Sequence, residues 1–305
     1  MPNQVFLVKN VRIRRRKNTL EIEDTGSENR TLIPILQLSE IFALQSAECE
    51  DPALALLSEK AVPLHLFEDG NYKGSWMPFS SILSGQVSVA QYMVLFDADL
   101  RIQIAQEIIR GGCRLRSAVS RKWFKGNSES WESKYLDVLS GVYANPGKNM
   151  SKVLQTIREL DLLRRKEYEN RKGIDFPTEK LRLAEGLAKA SILGAFTGLS
   201  LDPLVNILRE ETASFMSLCD DFFFLFEPLF VDLWLPEFSQ WSGKIDQISE
   251  CYRNHFTRIC ARDGKRAWSL RTLPLREGYA LISHFMGRTR YRAARKVEVP
   301  SFAGT

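Results

Sequence analysis

The sequence predicts an α+β protein: a small β-rich domain at the N-terminus, then a larger all-helical domain. Three observations carry this. Apolar and polar residues alternate through residues 1–78, the period of a half-buried strand. From Gln86 the apolar spacing changes to about 3.6 residues, the helical period. Between them, MPFSSILSG fits neither pattern. The expected organisation is a β-rich domain at 1–78, a linker at 79–85, an all-helical domain at 86–286 and a basic, flexible tail at 287–305.

In chain order, VFLVKNVRIRRR and NTLEIEDTG alternate and read as strands joined by a turn at RRKN. Ile33, Ile35 and Leu38 continue the pattern. The stretch from Ser39 to Phe67 reads as strand, short helix, strand. Asp51-Pro52 supply a cap and a first-turn proline for a helix over Ala53–Lys60. Val62 to Phe67 is a buried strand, and Glu68-Asp69-Gly70-Asn71 turns the chain into Tyr72–Trp76. Beyond the linker, Tyr92, Phe96, Leu100, Ile104, Ile108 and Leu115 predict one face of a long helix. A polar insert at 124–131 interrupts. Helices are then expected over Met150–Arg171, Leu181–Phe196, Leu204–Leu208, Leu218–Leu235, Ile245–Ala261 and Leu270–Met286.

A chain of 305 residues is long for one core, which suits two domains. No apolar run approaches the roughly 20 residues of a membrane span. The N-terminal residues lack the apolar stretch of a secretory signal. The five cysteines form no CxxC pair and read as reduced thiols, so a cytoplasmic location is expected. Charge is segregated. Phe196–Gln240 holds eight acidic residues and one basic one, whereas Cys251–Lys296 holds twelve basic and two acidic. An acidic block beside a basic one suits a metal-dependent site next to a polyanion track; two solvated helix faces would give the same count.

Adjacent Asp220 and Asp221 stand in SLCDDFFFLFEP, among the most apolar stretches of the chain. Buried carboxylates need a metal, a cation or amide donors. On the helix after Met150, residues Leu154, Ile157, Asp161, Arg164 and Tyr168 fall on one stripe, which places the carboxylate of Asp161 on the apolar side. The alternative is a surface pair of Asp161 with Arg164 or Arg165. His65 in PLHLF reads as a satisfied core histidine. A zinc site at Cys251, His255 and Cys260 is disfavoured because Cys260 falls on the opposite helix face.

An ordered set of segments then resembles one family. AVPLHLFEDGNYKGSWMP (61–78), Gln91-Tyr92, DADLRIQIAQEIIR (97–110), IRELDLLRRKEY (157–168) and LDPLVNILREETASFMSLCDDFFFLFEP (201–228) are similar, in order, to the CRISPR-associated spacer integrases. These insert spacers into CRISPR arrays by attack of a DNA 3′-hydroxyl on a phosphodiester. The resemblance implies a Glu-His-Asp site holding a divalent metal, Mg²⁺ or Mn²⁺. Matching Tyr168 places Asp161 at the glutamate, with Glu159 as the rival register. The histidine position holds Arg209. Counting back from Pro228 places Asp221 at the aspartate and Phe224 where an acid usually follows. Leu162 replaces a glycine.

The implied catalytic positions therefore read Asp161, Arg209, Asp221, with Asp161 and Asp221 as the expected metal ligands. A guanidinium has no lone pair and does not deprotonate, so Arg209 cannot ligate a metal; it is expected to pair with Asp221 or Asp161. The resemblance also implies DNA as a partner, dimerisation through the β-domain, and a small ferredoxin-like CRISPR adaptation partner. Candidate DNA contacts are Arg253, Arg258, Arg262, Lys265, Arg266, Arg271, Arg288, Arg290 and Arg292, interleaved with aromatic residues. Three functional readings follow: a DNA-binding adaptation subunit with weak or lost nuclease-integrase activity, an active endonuclease-integrase using Asp161 and Asp221, or a scaffold paired with a catalytic paralogue.

Overall fold

The computed structural model describes residues 3–27, 29–78, 85–123, 130–173, 178–208, 216–232, 272–288 and 290–293. The strands are β1 (Asn3–Leu7), β2 (Val11–Arg16), β3 (Thr19–Asp24), β4 (Arg30–Pro34), β5 (Leu38–Ala43), β6 (Ala47–Cys49), β7 (Leu64–Glu68) and β8 (Asn71–Trp76). They form two four-stranded sheets, ordered β1-β5-β7-β8 and β4-β3-β2-β6. The predicted β2–β3 hairpin pairs Ile13 with Ile22 and Arg16 with Thr19, and Lys17 adopts φ 58° in its turn. At the β7–β8 turn Asp69 and Gly70 both have positive φ, 48° and 75°, as a two-residue hairpin requires.

β1, β5 and β7 pair in parallel. Parallel neighbours need a crossover, and helix α1 (Asp51–Glu59, with Pro52 in its first turn) lies within the β5-to-β7 connection. Every residue of β5 is buried, as expected of a strand covered on both faces. Its alternate side chains serve two cores. Ile41 joins Ile13, Leu20, Leu56 and Leu64 in the β-domain core. Phe42 joins Phe67 and the helical residues in the main core.

The helical part comprises α2 (Gly85–Phe96), α3 (Ala98–Trp123), α4 (Ser130–Ala144), α5 (Met150–Lys172), α6 (Thr178–Gly198), α7 (Ser217–Glu227) and α8 (Thr272–Phe285). α6 lies against the sheet. A Cβ on Gly186 would sit 2.9 Å from both Phe67 and Tyr72, so only glycine admits this approach. His65 is fully buried there, as expected of a core histidine, but only half satisfied: Nδ1 lies 2.5 Å from Ser75 Oγ, whereas Nε2, 3.4 Å from Glu40 Oε2, makes no hydrogen bond.

Several expectations are corrected. The long helix after Gln86 is two helices: the Asp97 carboxylate accepts the Leu100 amide at 2.9 Å and starts α3, while Tyr92 and Phe96 turn to solvent. Leu204–Leu208 is a turn, because the side chain of Asp202 accepts the Leu204 amide and competes with helical bonding. The helix expected to reach Leu235 ends at Glu227 and widens into a π turn at Pro228–Asp232. At the start of the tail, Tyr291 and Ala293 are buried against the helical domain, and the Tyr291 amide donates to His284 Nδ1 at 3.1 Å. The helix predicted at Ile245–Ala261 and the Cys251, His255, Cys260 set lie outside the described residues, as does most of the linker.

Candidate functional site: a buried charge cluster at the centre of the helical domain

α5 is buried at Leu154, Ile157, Asp161, Arg164 and Tyr168, the stripe its sequence predicts. Asp161 is therefore inward, not part of a surface pair. The rival Glu159 is exposed and accepts from Gln155 at 3.0 Å on the same helix.

The cation that meets Asp161 comes from α3. Arg116 is fully buried, and its Nε donates to Asp161 Oδ2 at 2.7 Å. Its Nη1 donates to the Phe224 carbonyl at 2.9 Å, and its Nη2 reaches Glu227 Oε2 at 3.0 Å. Gly112, one turn earlier, makes room: a Cβ there would lie 2.8 Å from the Phe224 ring and 3.0 Å from Arg116 Nη1. The guanidinium stacks over the Phe224 ring at 4.3 Å. Phe224 thus occupies the place of the implied second acid and caps Arg116 instead.

The remaining charges close the cluster. Arg164 lies 3.2 Å from Asp161 Oδ1 and pairs with Asp232. Arg165 bridges Asp232 at 2.8 Å and Glu227 at 2.6 Å. The π turn after Pro228 brings Asp232 inward, fully buried. Three guanidiniums thus face three carboxylates, and the cluster is electroneutral. Burial alone would raise the Asp161 carboxyl, but Arg116, Arg164 and Arg165 outweigh it and hold the carboxyl below its ordinary 3.8. Burial would likewise lower the Arg116 guanidinium, yet Asp161 and Glu227 keep it raised. The Tyr135 hydroxyl adds a donor to Asp161 at 3.3 Å.

Asp220 and Asp221 part company, since adjacent helical residues point about 100° apart. Asp221 is buried, and its Oδ2 accepts the Ile207 amide at 2.6 Å and the Leu208 amide at 3.0 Å. Asp220 instead pairs with Lys189 at 2.9 Å. It lines an open pocket of about 290 Å³ together with Asp161, Arg158, Arg165, Glu185 and Glu227. Burial, and then the nearby Glu227, raise the Glu185 carboxyl. Asp221→Ala removes the acceptor of two buried amides and is expected to cost about 1–3 kcal/mol. Hydrogen exchange at Ile207 and Leu208 should accelerate, and Asp221→Asn should recover part of the loss.

Arg209 lies outside the described residues, as do Arg253, Arg258, Arg262, Lys265, Arg266 and Arg271. Arg288, Arg290 and Arg292 are exposed near the start of the C-terminal segment. The arginines of the β2–β3 hairpin pair with nearby acids at the surface: Arg12 with Glu48, Arg14 with Glu23 and Glu50, Arg15 with Glu59, Arg16 with Glu21.

The described residues do not fit a divalent cation. Among them, no three His, Cys, Asp or Glu side chains are placed to hold one. Hard cations take carboxylate oxygens at about 2.0–2.6 Å, and a cation at Asp161 would stand beside two guanidiniums. Sequence reasoning missed Arg116, Glu227 and Asp232. One signal for Arg116 was available: it falls seven residues after Ile109 and four after Gly112, on the buried seam of α3.

Comparison with known proteins agrees with this architecture. The family described as CRISPR associated protein Cas1 matches residues 5–171. A CRISPR-associated endonuclease Cas1 of Thermodesulfovibrio yellowstonii is 25% identical, covering 92% of this chain and 95% of the relative. One of Fusobacterium nucleatum is 22% identical, covering 96% of each. The fold is shared with a Cas1 protein from Thermotoga maritima (TM-score 0.74, 20% identity, 95% of this chain and 99% of that one). It is shared also with a casposase bound to its integration product (TM-score 0.75, 16% identity, 99% and 96%). A chain of a Cas6-RT-Cas1–Cas2 complex matches with TM-score 0.72 at 12% identity, over 97% of this chain and 36% of that chain. A strand-rich N-terminal region followed by a mostly helical one is thus the fold that this chain shares with solved Cas1 structures. The chain belongs to the Cas1 family of CRISPR-associated proteins. Among the described residues no helix is long and apolar enough to cross a membrane.

Proposed function

We propose that this chain is a CRISPR spacer-acquisition protein that binds DNA as a dimer and has weak or lost metal-dependent nuclease-integrase activity. The observation that supports the reading is the 2.7 Å pair between Arg116 and Asp161. The resemblance implies a metal-binding glutamate at this place, where a divalent cation would polarise the phosphate. Here a fixed guanidinium occupies the carboxylate, and displacing it would leave a charge stranded in the core. The basic C-terminal region supports DNA binding by phosphate neutralisation. Kinship with chains found in Cas1–Cas2 assemblies supports a small ferredoxin-like partner.

The test uses the intact protein with labelled duplex and forked DNA, with and without Mn²⁺ or Mg²⁺. Gel shifts that weaken steeply with salt are expected, with no metal-dependent cleavage or strand joining. Strand joining that needs the metal and disappears in Asp161→Ala and Asp221→Ala would sink the proposal and establish the active-enzyme reading. An intact chain that binds no DNA would instead favour the scaffold.

A further inference from the structure

Helix α2 is inverted. Its sequence, GQVSVAQYMVLF, contains no charged residue, yet its polar Gln91 faces inward and its largest apolar residues face solvent. Gln91 is fully buried and grips one backbone position from both sides: its Nε2 donates to the Asp202 carbonyl, and its Oε1 accepts the Asp202 amide, each at 2.9 Å. This clamp fixes the rotation of α2. With Gln91 and Val94 turned in, Val89, Tyr92, Met93 and Phe96 form an outer stripe at helical spacing, exposed by 61%, 39%, 68% and 88%. A contiguous apolar stripe held outward by a polar anchor marks an interaction surface.

We propose that the outer face of α2 docks an amphipathic helix of a partner protein, apolar on one side and basic at one end. The charge around the stripe selects that chemistry. Its Phe96 end is followed by exposed Asp97 and Asp99 and carries the negative end of the helix dipole. Asp202, whose carboxylate accepts from the Tyr92 hydroxyl at 2.7 Å, adds a third acid beside the stripe. The size selects a segment over a second subunit. A twelve-residue helix is about 18 Å long and offers far less than the roughly 800 Å² per partner of a stable subunit interface. An i, i+3, i+4, i+7 face on a single docking helix matches it.

The test measures binding of two fluorescein-labelled helical peptides to the full chain by anisotropy. Both carry the same leucine stripe; one has lysines at one end, the other glutamates. The lysine peptide should bind, and the glutamate peptide should bind at least tenfold more weakly. Met93→Glu and Phe96→Glu should each weaken the lysine peptide at least tenfold while leaving the melting temperature unchanged, because both side chains are exposed. Equal binding of the two peptides, or binding indifferent to both substitutions, would overturn the proposal. A drop in melting temperature would mean the stripe is an internal contact. Sedimentation that shows a self-association lost in Phe96→Glu would assign the face to a second copy, and DNA shifts abolished by Phe96→Glu would assign it to nucleic acid. Either result also overturns it.

Discussion

Replacing Arg116 by alanine is expected to destabilise the protein by about 3–5 kcal/mol, read as a lower denaturation midpoint in urea. The size follows from what remains. Asp161 and Glu227 stay in place without the guanidinium that neutralises them, and the Phe224 carbonyl loses its donor. The cost is that of stranded charge, so removing the charge on both sides should recover much of it. Arg116→Met with Asp161→Leu is expected to be markedly more stable than Arg116→Met alone. The dependence on pH has a definite sign. The Asp161 carboxyl is held below its ordinary 3.8, so its contribution is complete above that value and is lost as pH falls towards the lowered one. The gap between the native protein and Arg116→Ala should therefore be widest near neutrality and shrink below about pH 4. A gap that is constant from pH 7 to pH 3 would show that Arg116 acts through packing rather than charge.

Asp232→Ala should be comparably damaging, by about 3 kcal/mol or more, because one carboxylate serves two arginines. Arg164 and Arg165 both reach Asp232, and without it two adjacent guanidiniums face each other in a buried site. Asp232→Asn keeps an acceptor but not the charge, so only part of the stability should return. Adding Arg164→Met to Asp232→Ala should relieve the like-charge pair, and the double-mutant cycle reads their coupling directly. Strict additivity of the two changes would refute a shared network. Because Asp232 lies in the π turn at Pro228–Asp232 and is itself fully buried, a loss of stability here without a loss of DNA binding would also separate scaffold from interface.

How much was legible before the structure depends on the range over which each feature is decided. Alternation in VRIRRR, the Asp69-Gly70 turn and the α5 stripe are local patterns, and each formed as its spacing implied; TLEIED formed its strand but buries Leu20, Glu21 and Ile22 in succession. The stripe put Asp161 on the apolar side, but a surface pair with Arg164 or Arg165 fitted the same spacing, and only the structure excluded it. The helix break at Asp97 and the turn at Asp202 were harder, because a short side-chain acceptor competes with backbone bonding there and the apolar spacing runs straight through both. The exposure of Tyr92 and Phe96 could not be read at all, since periodicity gives a face without saying which way it turns. The Gln91 clamp on Asp202, 111 residues away, made that choice.

The sequence by itself determined the α+β order of the chain, its likeness to a family, and an acidic residue on the same stripe of α5 as its apolar anchors. These rest on spacing along the chain and on residue type, which no packing can alter. Only the tertiary structure decided what meets that acid. Its partner is Arg116, 45 residues earlier, and the other charges of the cluster arrive from the end of α7 and the turn beyond it. It also decided that Asp221 binds backbone amides while Asp220 faces the pocket with Lys189. A buried charge takes whichever opposite charge the packing of helices brings within reach, and that proximity is set by three dimensions rather than by distance along the chain.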